Sequence, residues 1–469
     1  MKFAWVIIGI MLSMFAVLLL FYVTDPLSPV VNNPEPSSTV SNNLPIGTPP
    51  FDPSENLSNN NSTHRQTSNS DLAVQELPLC STSTATGCLK VEGGGKDQNN
   101  MLHLPWQKEG CQGNGPVDLI SPMNIEDVGI IIPMGAMIGG HVTPIDHMYF
   151  QPTIFQSPPD MYNVYADADG IIEGIQSEPE GNGNKYRKYR LVIRHTCDFY
   201  SIYNLLTSLS PDILKITGTI PPGGSYSEPI PIKQGDLLGK IGGQTLDLSV
   251  NYNHINLGFI VPAHYEGEFW KIHTVDPFDY FQEPYKTELL AKDVRQVEPR
   301  GGKIDYDIDG KLVGNWFIVG TGGYSDTGKN PYNYWKTHAA FVYDPIDPTH
   351  IIFSLGNFTD IAAKTNLNER DRSIMQYSIK GNSPDPKDVS VSTGMVKYEL
   401  VETSYVIGSG SEPWSRMDYK NNIRAVGGTN VKGVVMVQLT AARTLKLEIF
   451  PGKQASEVQG FDKPVFYER

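Results

Sequence analysis

Three residues able to ligate a metal or move a proton stand close together in GGHVTPIDHMYF: His141, Asp146 and His147. Imidazole nitrogen and carboxylate oxygen are zinc donors, and histidine is the side chain that exchanges protons near neutral pH. Further on, RLVIRHTCDFY ends a strand-like run at His195, TLDLSV carries Asp247, and NYNHINLGF carries His254 and Asn256. His141 with one of Asp146 or His147 would offer nitrogen and oxygen donors of the kind zinc accepts. Adjacent strand residues face opposite sides, so only one of Asp146 and His147 is expected to share a site with His141. His195 would orient a water or stabilise an oxyanion beside that centre. The plainer expectation is that these histidines are satisfied polar residues of a β-fold without metal.

The elements that must position them are mostly strands. IEDVGIIIPMG, NVYADADGIIEGIQ, KYRKYRLVIRH and DLLGKIGG are short, rich in Val and Ile, and bounded by Gly, Pro or Asp. One stretch breaks the pattern. In DFYSIYNLLTSLSPDIL, apolar Phe199, Ile202, Leu205, Leu206 and Leu209 recur at three and four, which predicts a short helix. A second strand-rich block runs from GGKIDYDIDGKLVGNWFIVGTGG through HAAFVYDP, HIIFSLGNF, GMVKYELV and VKGVVMVQLTAARTLKLEIFPG. The connector between the blocks, TELLAKDVRQVEPRGG, permits either packing or independent motion, and independent motion is the default.

The order of motifs in the first block resembles the lysostaphin-type zinc endopeptidase domain over about residues 129–284. Ala166, Asp169 and Gly170 fit that family's hairpin, and Ile193 and His195 its strand ending in His. Gly235, Asp236, Gly239, Ile241 and Gly242 fit its glycine turn, and Asp276, Pro277 and Tyr280 its closing motif. The resemblance implies a β-fold, zinc as cofactor, and His141, Asp146, His147 and Asp247 as candidate ligands. It departs at the catalytic positions. The first motif is one residue longer than the family's, the Y-x-H histidine falls on Asn204, and the H-x-H motif falls on Thr245 and Asp247 or on His254 and Asn256. The first of these alignments is preferred, because TLDLSV follows the glycine turn directly. Asparagine at 204 keeps hydrogen bonding but removes proton transfer near neutral pH.

Asp305, Asp307, Asp309 and Gly310 spell the opening of a calcium loop, but the twelfth position is Trp316 instead of a bidentate Glu. The alternation predicts a hairpin turning at Asp309-Gly310, with the acids on a solvated face opposite Ile304, Tyr306 and Ile308. Gly314-Asn-Trp316 resembles the entry signature of lipocalin and calycin barrels, which implies a C-terminal barrel with Trp316 capping one end. His338 and His350 read as surface residues.

Phe3–Val23 is an uncharged run of 21 residues with Lys2 before it and Asp25 after, long enough to span a bilayer. The charge order predicts a cytoplasmic N-terminus and an extracytoplasmic bulk. The run ends in FYVTDPLSP, a poor signal-peptidase site, so an uncleaved anchor is favoured over a leader. Thr24–Pro78 is 32 Ser, Thr, Asn or Pro in 55 residues, the composition of a disordered stalk. Asn56, Asn60, Asn61 and Asn357 head glycosylation sequons. Four cysteines leave three pairings open, with Cys80–Cys88 and Cys111–Cys197 preferred. A formal charge of −14 argues against nucleic acid as a partner.

The expected fold class is therefore mainly β. It comprises an anchor over 1–23, a stalk over 24–99, a peptidase-like antiparallel β-domain over 100–285 and a C-terminal barrel or sandwich over 300–469. Two functions compete. One is a non-catalytic binding module for an envelope glycan, peptide or protein, with a groove lined by Tyr149, Phe150, Tyr165 and Tyr203. The other is a divergent zinc-dependent hydrolase of peptide or amide bonds in envelope polymers.

Overall fold

A computed structural model describes residues 111–138, 141–178, 188–325, 336–356 and 376–469. All of them belong to one compact unit, Thr84–Arg469. The anchor, the stalk, Cys80, Cys88 and the four sequon asparagines lie outside the described residues. No helix among the described residues is long and apolar enough to cross a membrane.

The first half is built on a nine-stranded sheet. Its main path orders β1 (Val128–Ile132), β2 (Met148–Pro152), β11 (Leu246–Tyr252), β6 (Phe199–Leu206), β5 (Tyr189–Arg194), β4 (Gly170–Ser177) and β8 (Ser225–Tyr226). β12 (Thr274–Val275) pairs with β11, and β9 (Ile230–Ile232) with β4. A smaller sheet joins β3 (Tyr162–Tyr165), β10 (Leu237–Ile241) and β7 (Ser208–Leu209). Alternation along the strands gives the large sheet two faces. Met148, Phe150, Leu191, Ile193, Tyr203 and Leu248 share the main core with residues of the small sheet. Val192, Tyr200 and Ile202 pack on the opposite face against Trp270. Cys111 is bonded to Cys197, with Cα atoms 5.3 Å apart.

The helix expected over 198–214 is instead strand β6, followed by β7 and then α1 (Pro211–Thr217). β6 lies between β5 and β11 and buries both faces, so apolar residues fall at mixed spacings that imitate a helical stripe. The helix begins only where Ser210 caps it, its Oγ accepting from the Ile213 N–H at 3.3 Å, with Pro211 in the first turn.

The second half is a closed antiparallel barrel of eight strands in chain order. They are β13 (Gly314–Ile318), β14 (His338–Tyr343), β15 (Ile351–Leu355), β16 (Gln376–Ile379), β17 (Val396–Ile407), β18 (Ile423–Ala441), β19 (Thr444–Pro451) and β20 (Val465–Glu468). Trp316, Phe341, Phe353, Tyr377, Tyr398 and Tyr467 are among the side chains that fill its core. β17 and β18 run on beyond it, and their extension carries Tyr405, Trp414, Ile423 and Ala425 onto Ile130 and Val294.

The expected hairpin at Asp309-Gly310 is only partly present. Ile308 and Lys311 close a turn, but the flanking residues form no ladder with each other. Nor do the acids share a solvated face: Ile308 is 46% exposed, whereas the Asp307 side chain is 4% exposed. Asp307 accepts from the Asn315 N–H at 2.9 Å and stands 3.3 Å from the Arg469 guanidinium. That guanidinium lies 3.9 Å over the Trp316 ring and donates to the Val313 carbonyl at 2.6 Å. Gly314 is needed here: its φ is +117°, and a Cβ would meet Asp307 and Arg469. His338 and His350 are buried, not superficial. His350 reaches Ser378 at 2.7 Å, and His338 packs edge-on against Phe317 and Tyr324.

The connector is a packed element. α2 (Tyr285–Leu290) leads into buried Asp293, Val294 and Arg295. The Arg295 guanidinium donates to the carbonyls of Pro299 and Pro345 at 2.6 Å each, and Arg300 Nε to Asp293 at 3.0 Å.

Replacing Arg469 by Met would strip Asp307 of its counter-charge in the interior. The expected loss is about 3–5 kcal/mol of unfolding free energy by denaturant titration. A loss under about 1 kcal/mol would show that Asp307 does not need the arginine.

Candidate functional site

The sequence candidates fall into two groups on opposite faces of the large sheet. His141, Asp146, His147 and Asp247 come together on the Trp270 face. Asp146 and His147 precede β2 in a bend, not in the strand, so both side chains turn to the same place. Alternation within a strand therefore does not separate them. His147 Nδ1 is 3.4 Å from Asp146 Oδ1, and His147 Nε2 is 3.3 Å from Asp247 Oδ2. The His141 ring stands edge-on to His147 with centroids 5.9 Å apart. Asp247 sits on β11 opposite Tyr149 of β2 and Asn204 of β6. Thr245 Oγ1 donates to Asp247 at 2.7 Å.

A lysine completes this cluster. Lys271 Nζ is 3.2 Å from Asp146 Oδ1 and 3.1 Å from Glu268, and it lies 5.0 Å over the Tyr324 ring. Trp270 Nε1 donates to the other Asp146 oxygen at 2.6 Å. Asp146, His147, Asp247 and Lys271 are all less than one-tenth exposed.

The electrostatics follow from the packing. Burial alone would raise the Asp146 carboxyl, but the Lys271 ammonium and His147 outweigh it and hold it well below the usual carboxylate range. Burial opposes charging His147, yet Asp247 and Asp146 outweigh it and raise it to about 9. Burial also opposes the Lys271 charge, and Asp146 and Glu268 more than restore it. His141, desolvated and beside two cations, is lowered to about 3. At neutral pH His147 and Lys271 thus stand as cations among the carboxyl groups around them, with one uncharged histidine beside them.

These residues fit zinc poorly. Both Asp146 oxygens are engaged, by Lys271 and Trp270, and a dication would stand beside the Lys271 ammonium. Among the described residues no group of three His, Cys, Asp or Glu is arranged to hold a metal ion.

His195 is elsewhere. It continues the Ile193 side of β5, on the main-core face, with its side chain fully buried. Its Nε2 lies 2.9 Å from Ser201 Oγ and 3.3 Å from Asp167, and its Nδ1 lies 2.8 Å from the Asp169 carbonyl. Ser201 donates to Asp167 at 2.6 Å. Burial opposes protonation of this histidine, and Asp167 outweighs it, so its pKa is raised. A serine committed to a carboxylate inside a core has no route to a substrate, and His195 acts as a core histidine.

No family model, no curated protein and no solved structure matches this chain.

The groove expected from Tyr149, Phe150, Tyr165 and Tyr203 does not form. Phe150 and Tyr203 are fully buried in the main core, while Tyr149 packs on the other face. A cleft of about 290 Å³ occurs instead between the 132–138 segment and the β17–β18 extension. It adjoins the first group through Gln376, whose Nε2 donates to the His141 carbonyl at 3.2 Å. Sequence reasoning missed Lys271, Glu268 and Trp270, although EFWK, with acid and base three apart around a tryptophan, was a readable signal. It also missed Tyr405, Trp414 and Arg416, which only the tertiary fold gathers.

Two outcomes follow. Lys271→Met leaves Asp146 charged and buried, and is expected to cost about 3–5 kcal/mol by denaturant titration. His147 has its folded value raised above the unfolded value of about 6.5. Its contribution is full below that pH and fades as pH rises through about 9. The melting temperature is expected to fall over this window. His147→Gln, lower throughout, should fall less steeply, and parallel slopes would refute the ionic role.

Proposed function

We propose that this chain is a membrane-anchored extracytoplasmic protein whose peptidase-like half is a non-catalytic binding module for an envelope glycan, peptide or protein. The observation that carries the reading is Lys271. Its ammonium, 3.2 Å from Asp146, places a fixed cation among the residues that resemble a zinc site. Acid–base catalysis needs a group that can reach a substrate and change protonation. Here the carboxylates and His147 are turned on one another and buried. Asn204 supports the same reading, since it stands on the sheet opposite Asp247 where the resemblance calls for a histidine. The uncharged run Phe3–Val23 supports the anchor.

One observation favours the alternative, a divergent zinc hydrolase. His147 Nε2 and Asp247 Oδ2 are 3.3 Å apart, a spacing that two donors on one tetrahedral zinc ion also adopt. That reading requires Lys271 to leave and His147 to lose its proton.

The test is elemental analysis of the full-length chain, purified in mild detergent, incubated with zinc and passed through a desalting column. The binding-module reading expects far less than one zinc per chain. About one zinc per chain, lost in His141→Ala, would establish the metal centre and overturn it.

A further inference from the structure

We infer that the cleft between the 132–138 segment and the β17–β18 extension binds the free carboxylate end of a peptide whose last residue is aliphatic. This deepens the binding-module reading and rests on it, but it draws on other residues.

The cleft is lined from the first half by Ile132, Met137 and Ile138, and from the second by Ile346 and Ile352. Ile138 is 41% exposed, so part of this apolar lining is open to water. Two acids and one arginine also line the cleft, and they differ in how they are partnered. Asp344 accepts from the Tyr405 hydroxyl at 2.5 Å and from the N–H groups of Ile346 and Asp347 at 2.9 Å each. Glu402 stands 3.3 Å from Lys432. The Arg416 guanidinium lies 4.4 Å over the Tyr405 ring and has no carboxylate partner among the described residues. Of the three, Arg416 is therefore the charged group that faces the cleft without a hydrogen-bonded or ion-paired partner among the described residues.

The arginine is held in place. Its backbone has φ +63°, and its carbonyl accepts from buried Gln151 Nε2 at 3.2 Å. On either side, the Trp414 N–H donates to the Tyr405 carbonyl at 2.9 Å, and Trp414 Nε1 to the Asp418 carbonyl at 2.8 Å. A guanidinium lying over an aromatic face is not hydrogen-bonded by that ring, so its N–H fork stays available to grip a carboxylate. Holding it before the ligand arrives lowers the ordering cost of binding. The aliphatic lining then takes a branched side chain. At about 290 Å³ the cleft suits a chain end better than a folded surface.

The test is isothermal titration calorimetry on the full-length chain in detergent micelles, with acetyl-leucyl-leucine as the probe. Binding is expected, and the C-terminal amide of the same peptide should bind at least about tenfold more weakly. Arg416→Gln should lose affinity by the same factor with its melting temperature unchanged, since this side chain is exposed. Equal affinity for acid and amide, an unaffected Arg416→Gln variant, or no binding up to about 10 mM would overturn the assignment. So would 4-methylpentanoate binding as tightly as the peptide, which would mark a free-acid site. The zinc assay reads the His147 cluster and not Arg416, so failure here and failure of the binding-module reading are distinguishable.

Discussion

A sheet covered on both faces must neutralise every charge its strands bring inward, and that constraint governs the first half of this molecule. β2, β11 and β6 bury both faces, yet the segment before β2 and β11 itself deliver two carboxylates and an imidazole to the Trp270 face. Water is excluded there, so an uncompensated charge would cost several kcal/mol. Lys271 supplies the compensation, and Trp270 satisfies the carboxylate oxygen that the lysine leaves. The same constraint is met on the other face by His195, Ser201 and Asp167, with hydroxyl and imidazole in place of the ammonium. The barrel repeats the pattern with Arg469 and Asp307.

Part of the fold was legible because strands with β-branched residues between glycine and proline punctuation carry a strong local signal. The barrel strands β13–β15 and β17–β19 fall where the sequence places them, and Trp316 sits in the barrel core beside Arg469. Cys111 and Cys197 pair as preferred, a choice that only proximity settles. β6 was illegible because a doubly buried strand has no polar face to mark its period of two. Asp307 was misplaced for a related reason. Alternation assigned it to solvent, and its actual partners, Asn315 and Arg469, are a turn and a whole barrel away in the chain.

The site was legible in its members and illegible in its state. Spacing brought His141, Asp146 and His147 forward, the resemblance added Asp247, and the four are neighbours in space. Their protonation depends on a lysine more than a hundred residues from His141, delivered by the turn-rich segment between β11 and β12. Ligand-type residues found together in a sequence therefore constrain location more firmly than chemistry: one added cation converts a set of metal donors into an ion pair network. The cleft was invisible for the complementary reason, since its walls come from four separate stretches, none of which is unusual alone.

The connector has a consequence beyond joining the halves. β1 is the last strand of the large sheet, and one side of its backbone would be open for pairing. Instead, the Ile131 N–H donates to the Lys292 carbonyl at 2.9 Å and the Val294 N–H to the Ile131 carbonyl at 3.1 Å, while Met134 bonds to Gly301 at 2.8 Å. The connector therefore serves as an edge guard, occupying the positions a strand from another copy would seek. A chain cut between the halves would lose more than a tether. It would expose an unsheathed strand edge beside the apolar surface of Ile130, and self-association through that edge would compete with folding.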